Sequence, residues 1–329
     1  MAGLRLIGRT GSIVVGLGLL LFIPFVLSSY ELRVLINVGI TAICLLGFNI
    51  LLGFSGQFIL MQASFFGLGA YSSALLAKEL HWNVWLAMPA AVLFVSLFGL
   101  IVGLVMCRWK GHYGALVSIG LNVIIFELIL NLRSVTMGGQ GLRGIPQPDP
   151  IRVFNLCILD FSGPRAWYFV VLTGVVASLI LCRRIRESDV GRALFAVRDD
   201  EVAAGSTGIN VFKLKVIGFA LSAPFGAGAG AIYAHYMGSI VPYMAEVTET
   251  FFMLVMMIIG GLGSVPGMIL GAVIAKALPE YLRFVEEYRQ IIFGLLLLLI
   301  LFFAPEGIAG LMEGARVSVR RVLAMRQRS

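Results

Sequence analysis

Charge is what this sequence has least of: 13% of its residues are Asp, Glu, Lys or Arg, while 59% are hydrophobic and the mean hydropathy is +0.97. So few ionised groups cannot clothe a chain of 329 residues in water, and lipid is the solvent for most of it. Histidine is scarce too. His81, His112 and His235 show no HExxH spacing, and no GxxxxGK[ST] loop is present to cradle a phosphate. The chain therefore does not hydrolyse nucleotide alone, and it reads as a protein that is not an enzyme, with no catalytic or metal-ligating residue to assign. The four cysteines, Cys44, Cys107, Cys157 and Cys182, are too far apart for CxxC metal or redox chemistry. Three lie in or at the end of apolar runs, where burial as a small hydrophobe is their ordinary role.

What the sequence has is long apolar stretches. Every backbone donor and acceptor inside hydrocarbon needs an internal partner, so the spanning units are helices or a closed barrel. Barrel strands would alternate over about ten residues, whereas these runs are unbroken and choose helices. With about 20 residues needed to cross roughly 30 Å of hydrocarbon, spans are expected at 11–27, 32–52, 84–106, 114–131, 166–182, 214–238 and 289–304. The first follows Arg5 and Arg9 as a signal peptide would, but no small-residue cleavage site stands near Ser28 and Ser29, so it is expected to be retained. The run after Gly53-Phe54-Ser55-Gly56-Gln57 is either one helix packed through its glycines or a broken one. The run 249–282 holds Gly260-Gly261-Leu262-Gly263-Ser264-Val265-Pro266-Gly267 and splits into two short segments. The expected fold is thus an all-α polytopic membrane bundle of about ten segments, one integral-membrane domain over 1–329.

The formal net charge of +8 comes from short basic clusters beside apolar runs, which set orientation in a membrane; nucleic acid is a poor partner for them. The N-terminal arginines, the Arg108-Trp109-Lys110 turn, the island 183–213 and the basic tail 305–329 all favour the cytoplasmic side, and ten crossings satisfy all four. The stretch 132–165 then lies outside the membrane on the other face. It is rich in turn formers, from Gly138-Gly139-Gln140-Gly141 to Ile145-Pro146-Gln147-Pro148-Asp149-Pro150, and is expected to form a cap that is not helical. Its Arg133, Arg143, Arg152 and Arg165 pull against that assignment.

A transporter without its own energy source draws either on an ion gradient through buried ionisable groups or on a partner ATPase through an exposed loop. The segment from Gly191 to Asn210 suits the loop. Ala203 and Ala204 offer a low-profile helical face, Asp199, Asp200 and Glu201 favour a helix N-terminus, and Gly208 ends the turn. The bland alternative is a solvated loop obeying the charge rule. Glu127, inside the run 116–132, is the one sharp sign of ion coupling, and it should face a partner, a water-filled cavity or another subunit.

The pattern Glu201-Val202-Ala203-Ala204 followed by Gly208 resembles the EAA-type loop of ABC importer permeases, and its surroundings resemble the LivM-type branched-chain amino acid permeases. The resemblance runs on through Gly53-Phe54-Ser55-Gly56-Gln57, Phe65-Phe66-Gly67-Leu68-Gly69-Ala70-Tyr71, Thr136-Met137-Gly138-Gly139-Gln140-Gly141-Leu142, Gly260-Gly261-Leu262-Gly263-Ser264, Glu287-Tyr288-Arg289-Gln290 and Pro305-Glu306-Gly307. Two places depart from the family: Phe58-Ile59-Leu60-Met61-Gln62 replaces a Ser-Leu-Gly-His-like stretch, and Pro224 interrupts an Ala-rich helix. The resemblance implies a permease subunit of a bacterial inner (plasma) membrane importer, multi-pass with both termini cytoplasmic. It also implies a LivH-like second permease, two LivG/LivF-like ATPases using ATP and Mg²⁺, and an extracytoplasmic amino-acid-binding protein. This chain itself would bind no cofactor. The ATPase-coupling residues it implies are Arg192, Arg198, Asp199, Glu201, Ala203, Ala204 and Gly208. The expected cargo is a branched-chain amino acid, with urea or a short amide as the alternative and an ion-coupled carrier as the remaining class.

A zwitterion crossing lipid needs a lined path, since burying an isolated ion costs on the order of tens of kcal/mol. Small and polar residues in apolar helices are its candidates, here Ser55, Gly56, Gln57 and Gln62; for each one singly, helix packing is the competing role. The GxxxG pair Gly226 and Gly230 reads as a packing face, and His235 and Tyr236 as an amphipathic pair at headgroup level.

Overall fold

A computed structural model describes residues 21–109, 112–153 and 156–281, with isolated positions beyond. Helix α1, Ser29–Phe48, opens on a capping box in which Ser28 accepts from Glu31 N–H and Glu31 Oε2 accepts from Ser28 N–H at 2.8 Å. It continues without interruption into a π-helical turn, Asn49–Phe54. Helix α2, Gln62–Lys78, follows an irregular stretch containing Gly56 at φ +67°. The glycine-rich run near residue 53 is therefore broken, and not one continuous helix. Helices α3 (Val84–Met106), α4 (His112–Asn131) and α5 (Pro164–Glu187) come next, then two short helices, α6 (Asp189–Asp199) and α7 (Glu201–Ser206). The long helix α8, Val211–Met237, precedes α9 (Val247–Gly260) and α10 (Val265–Tyr281).

Among the described residues five helical stretches are long and apolar enough to cross a membrane: Ser29–Phe54, Val84–Met106, Tyr113–Asn131, Pro164–Glu187 and Val211–Met237. Helices α9 and α10 pass the same test only together and meet at a 118° bend, where Gly261 and Gly263, both at positive φ, break the chain and Pro266 stands in the first turn of α10. At 17 residues α2 is shorter than a full span. The expected span 289–304 and most of 11–27 lie outside the described residues, so the expected ten segments reduce here to five spans and the bent pair. The chain is a multi-pass helical membrane protein.

Helix α8 is the axis of the bundle, and glycine is what lets its neighbours close on it. A Cβ on Gly226 would lie 2.8 Å from Phe65 Cβ, one on Gly230 would strike the Phe66 carbonyl, and one on Gly69 would strike the Ala227 backbone. The GxxxG face thus packs α8 on α2 within this one chain. Similar contacts seat α3 through Gly103, whose Cβ would be 2.9 Å from Phe219 Cβ, and α1 through Gly47 beside Phe225. Lipid tails match the hydrophobicity of a leucine, so close approach of backbones does the work that water exclusion does elsewhere.

The stretch 132–165 is not purely a coil. It holds a helical turn at Arg133–Thr136 and two small antiparallel ladders: Leu142–Arg143 (β1) pairs Ser239–Ile240 (β4), and Ile151–Val153 (β2) pairs Leu156–Leu159 (β3). Both ladders are small, and the described residues otherwise form the expected helical membrane bundle. The first ladder folds this stretch over the end of α8, where Ile145 N–H donates to the Gly238 carbonyl at 3.0 Å. His235 is consequently fully buried, bonded to the Pro146 carbonyl (2.7 Å) and Ser73 (2.9 Å), and Tyr236 packs on Trp167 with ring centroids 5.6 Å apart. The reading of His235 as an interfacial ring is corrected, because the stretch 132–165 covers it, while Tyr236 stays partly exposed.

Candidate functional site: a helical pair tied to two glycine breaks

The charged island folds as expected for a helix start, but its two alanines do not share a face. Successive residues of an α-helix are about 100° apart at 3.6 per turn. Ala203 is exposed while Ala204 is buried as part of the apolar core. The outward surface is instead Ala203 beside Val202, whose side chain is 83% exposed. Asp200 caps α7, accepting from Ala203 N–H at 3.0 Å and Val202 N–H at 2.8 Å. Those two bonds, Ala203's the larger, hold its carboxyl below the usual carboxylate range, so the cap is ionised at neutral pH. Gly208, at φ +87°, turns the chain toward α8. Arg192 and Asp199 lie on the exposed side, Arg192 paired with Asp189 across one turn.

Inward, the pair is fastened to the bundle. The buried face of α6 presents Leu194 and Val197, and Phe195 packs on Phe54 at 5.0 Å between centroids. Arg198 reaches furthest: its guanidinium donates to the Gly53 carbonyl, its Cγ lies 3.0 Å from where a Gly56 Cβ would stand, and its Nη1 lies 2.9 Å from that position on Gly263. The two glycine breaks also touch each other, since Asn49 Oδ1 accepts from Gly263 N–H at 2.9 Å. One arginine from the exposed helices therefore sits over both places where the membrane helices are broken. Sequence reading found both glycine runs and Arg198 separately; their convergence comes from residues 145 positions apart, and no local pattern announces it.

A second strand of contacts runs through Glu201, whose carboxylate pairs with Lys215 on α8. Lys215 is buried, and removing its partner would strand a cation away from water, a change that costs about 3 kcal/mol or more in a fully buried pair and less here, where Glu201 is 44% exposed. The carbonyl of the same Lys215 accepts from Gln57 Nε2 at 3.2 Å, and that amide also donates to Ser55 at 2.9 Å. Cys107 donates to Gln57 Oε1 at 3.6 Å, a normal length for sulfur. Of the four residues singled out for the pathway, Ser55 and Gln57 are thus buried in this network and Gly56 is exposed beside Arg198. Gln62 lies apart, fully buried, donating to the Cys44 carbonyl (3.2 Å) and accepting from Ser222 (3.1 Å). Lys215 and Asn49 escaped sequence reading: a lysine near a helix start looks like an orientation signal, and an asparagine inside an apolar run gives no hint of its partner.

Glu127 is exposed on the outside of α4 and accepts from Asn131 Nδ2 at 2.8 Å, so its pairing is local to one helix turn. Two cavities open among the described residues. The larger, about 800 Å³, is lined by apolar side chains such as Leu75, Leu80 and Phe94, with Glu79 its one charged residue. The other, about 620 Å³, sits between α1, α8, α9 and α10.

Replacing Arg198 with alanine is expected to leave the bundle folded but to free α6 from the two breaks, so that amide hydrogen exchange at Gly53–Gln57 and Gly261–Ser264 quickens about tenfold. Exchange at the wild-type rate in both segments would show that the guanidinium does not hold them.

Comparison with known proteins fits this arrangement. Residues 30–301 match the family described as branched-chain amino acid transport system / permease component. The chain is 30% identical over 305 residues to the high-affinity branched-chain amino acid transport system permease protein LivM of Salmonella typhimurium, covering 87% of this chain and 71% of that one, and equally so to LivM of Escherichia coli. Identity to the LivH permease of Salmonella typhimurium is 27% over 297 residues, 84% of this chain and 93% of that protein. No solved structure matches the chain. A family match over most of the sequence, on a bundle whose broken helices meet beneath an exposed helical pair, places this chain in the branched-chain amino acid transport permease family.

Proposed function

We propose that this chain is the membrane-spanning permease subunit of an ABC importer, moving branched-chain amino acids with ATP and Mg²⁺ used by partner ATPases. The observation that carries the reading is the exposed α6–α7 pair, fastened through Arg198 to both glycine breaks and through Glu201 to Lys215. A surface that a partner can push, connected to helices that are already interrupted, is the arrangement a permease without its own nucleotide site needs. Arg192, Asp199, Val202, Ala203 and Gly208 would meet the ATPase; Arg198, Glu201 and Ala204 would pass its motion inward. In this reading α6 and α7 lie on the cytoplasmic side of the inner membrane with both termini, and the ladder-bearing stretch 132–165 faces the binding protein. A LivH-like permease would complete the pathway, with Ser55, Gly56 and Gln57 shaping its cytoplasmic end and Gln62 holding α1, α2 and α8 in register.

Glu127 gives the ion-coupled alternative little support, since its carboxylate faces outward and is satisfied one turn away. The test is co-purification of the chain with its candidate permease and ATPase partners, followed by reconstituted uptake of labelled leucine and urea in parallel. ATP-dependent leucine accumulation is expected; urea accumulation in its place would change the cargo, and accumulation by this chain alone without nucleotide would reject the reading.

A further inference from the structure

Asn49, the first residue of the π-helical turn, is fully buried, and one half of its amide has no partner. Its Oδ1 accepts from Gly263 N–H at 2.9 Å, which leaves Nδ2 as a donor, and that donor meets no acceptor. The fit around the amide is close: a Cβ on Gly53 would strike Asn49 Oδ1 and stand 2.8 Å from Gly263 N. The loop Gly261–Ser264 is also backed by Gly307 of the Pro305-Glu306-Gly307 motif, whose Cβ would strike the Gly261 backbone and lie 2.8 Å from the Ile258 carbonyl. Contact between backbones cannot be released by turning a side chain. The Asn49 bond and the Arg198 contacts can be, and they join the two breaks.

A buried donor without an acceptor raises the energy of the state that contains it, so an arrangement that gives Nδ2 a carbonyl competes with the one described. The π turn supplies a way to reach it. Ser55 N–H donates to the Ile50 carbonyl, five residues back, at 3.2 Å, so this turn carries one residue more than an α turn. Moving that extra residue one position toward Ser29 turns Asn49 relative to the helix before it by about 100°, the angular step of an α-helix. Its side chain is then carried off Gly263 without loss of helix. The turn is also where α6 presses, through Phe195 on Phe54 and through Arg198 on the Gly53 carbonyl. Displacement of α6 therefore acts on the element whose shift frees the Asn49 bond.

Resting on the permease reading above, we propose that Asn49 is a positioning residue that latches the two glycine breaks together, bonded to Gly263 in this state and turned to donate through Nδ2 once a partner displaces α6. The test uses the complete complex, in lipid nanodiscs for amide exchange over residues 261–266 and in proteoliposomes for ATP hydrolysis and leucine uptake. In the wild type a non-hydrolysable ATP analogue is expected to quicken that exchange about tenfold, while exchange along α8 at Gly226–Gly230 stays the same. Asn49→Leu deletes both halves of the amide. Its exchange should be fast without nucleotide, and hydrolysis in the absence of the binding protein should rise about tenfold. Asn49→Asp keeps the acceptor and deletes the donor. Its exchange should stay slow with the analogue bound, and maximal uptake should fall about tenfold. A residue that only packs would move both variants the same way. Exchange over 261–266 that does not respond to nucleotide in the wild type, or a change in the same direction in both variants, would overturn the proposal; where a variant does not assemble, the wild-type comparison decides alone. A wild-type complex that accumulates no leucine with ATP would instead strike the permease reading.

Discussion

Glutamate in place of Ala203 is expected to leave the chain inserted and folded while weakening ATPase capture by roughly thirtyfold or more, with a matching fall in solute uptake. The side chain at this position is exposed and touches nothing that folding depends on, so the bundle has no reason to respond. A partner pressed onto α7 would bury it next to Val202, at the centre of the outward surface. An unpaired charge there costs about 2 kcal/mol or more, a loss of roughly thirtyfold in affinity. Arginine at Gly208 acts by another route to the same end. Nothing lies within 4 Å of the added Cβ, so space is not the obstacle, but φ is +87°. Holding an L-residue in that region costs about 1 kcal/mol or more and reorients the link from α7 to α8. Pull-down of the ATPases by the tagged variants, together with ATP-driven uptake, measures both effects. Unimpaired uptake in the Ala203 variant would reject docking at α7.

Isoleucine at Gly230 should do the opposite, destroying the permease before any partner is met. Its Cβ would fall on the Phe66 carbonyl and 2.9 Å from Ala70 N, backbone atoms of α2 that cannot rotate away. Overpacking typically costs about 1–3 kcal/mol where side chains can yield, and more is expected where the obstacle is another helix. The same substitution at Gly228, two positions away on α8, meets only Val92 Cγ2 at 3.8 Å and should be tolerated. Detergent-solubilised yield and thermal midpoint of the two variants, compared side by side, check the contrast. Equal tolerance at both sites would mean that α2 and α8 are not packed as described.

These two outcomes differ because the residues occupy different links of the chain from sequence to function. Ala203 and Gly208 were legible from a short motif, since helix capping and a left-handed turn are local properties. Ala204 was read with Ala203 as one face, but the bundle beneath α7 buries Ala204 while Ala203 stays exposed. His235 looked like an interfacial ring until the ladder between Leu142–Arg143 and Ser239–Ile240 closed over it. Glu127 looked in need of a partner because its neighbours in sequence are apolar, and the partner is Asn131, one turn along the same exposed face.

Hydropathy and helix-breaking residues sufficed, by themselves, to decide that this protein is a bundle of membrane helices and that the run 249–282 splits in two, while the run after Gly53 stayed open between a continuous and a broken helix. Such properties depend on runs of neighbouring residues and on backbone satisfaction in lipid, which no distant contact can change. Which residues meet was decided only by the tertiary structure. Arg198 bridges the breaks at Gly53 and Gly263, and Asn49 ties the same two together. The physical reason is that helix packing brings together groups far apart along the chain through small-residue contacts whose pairing is not written in any local period.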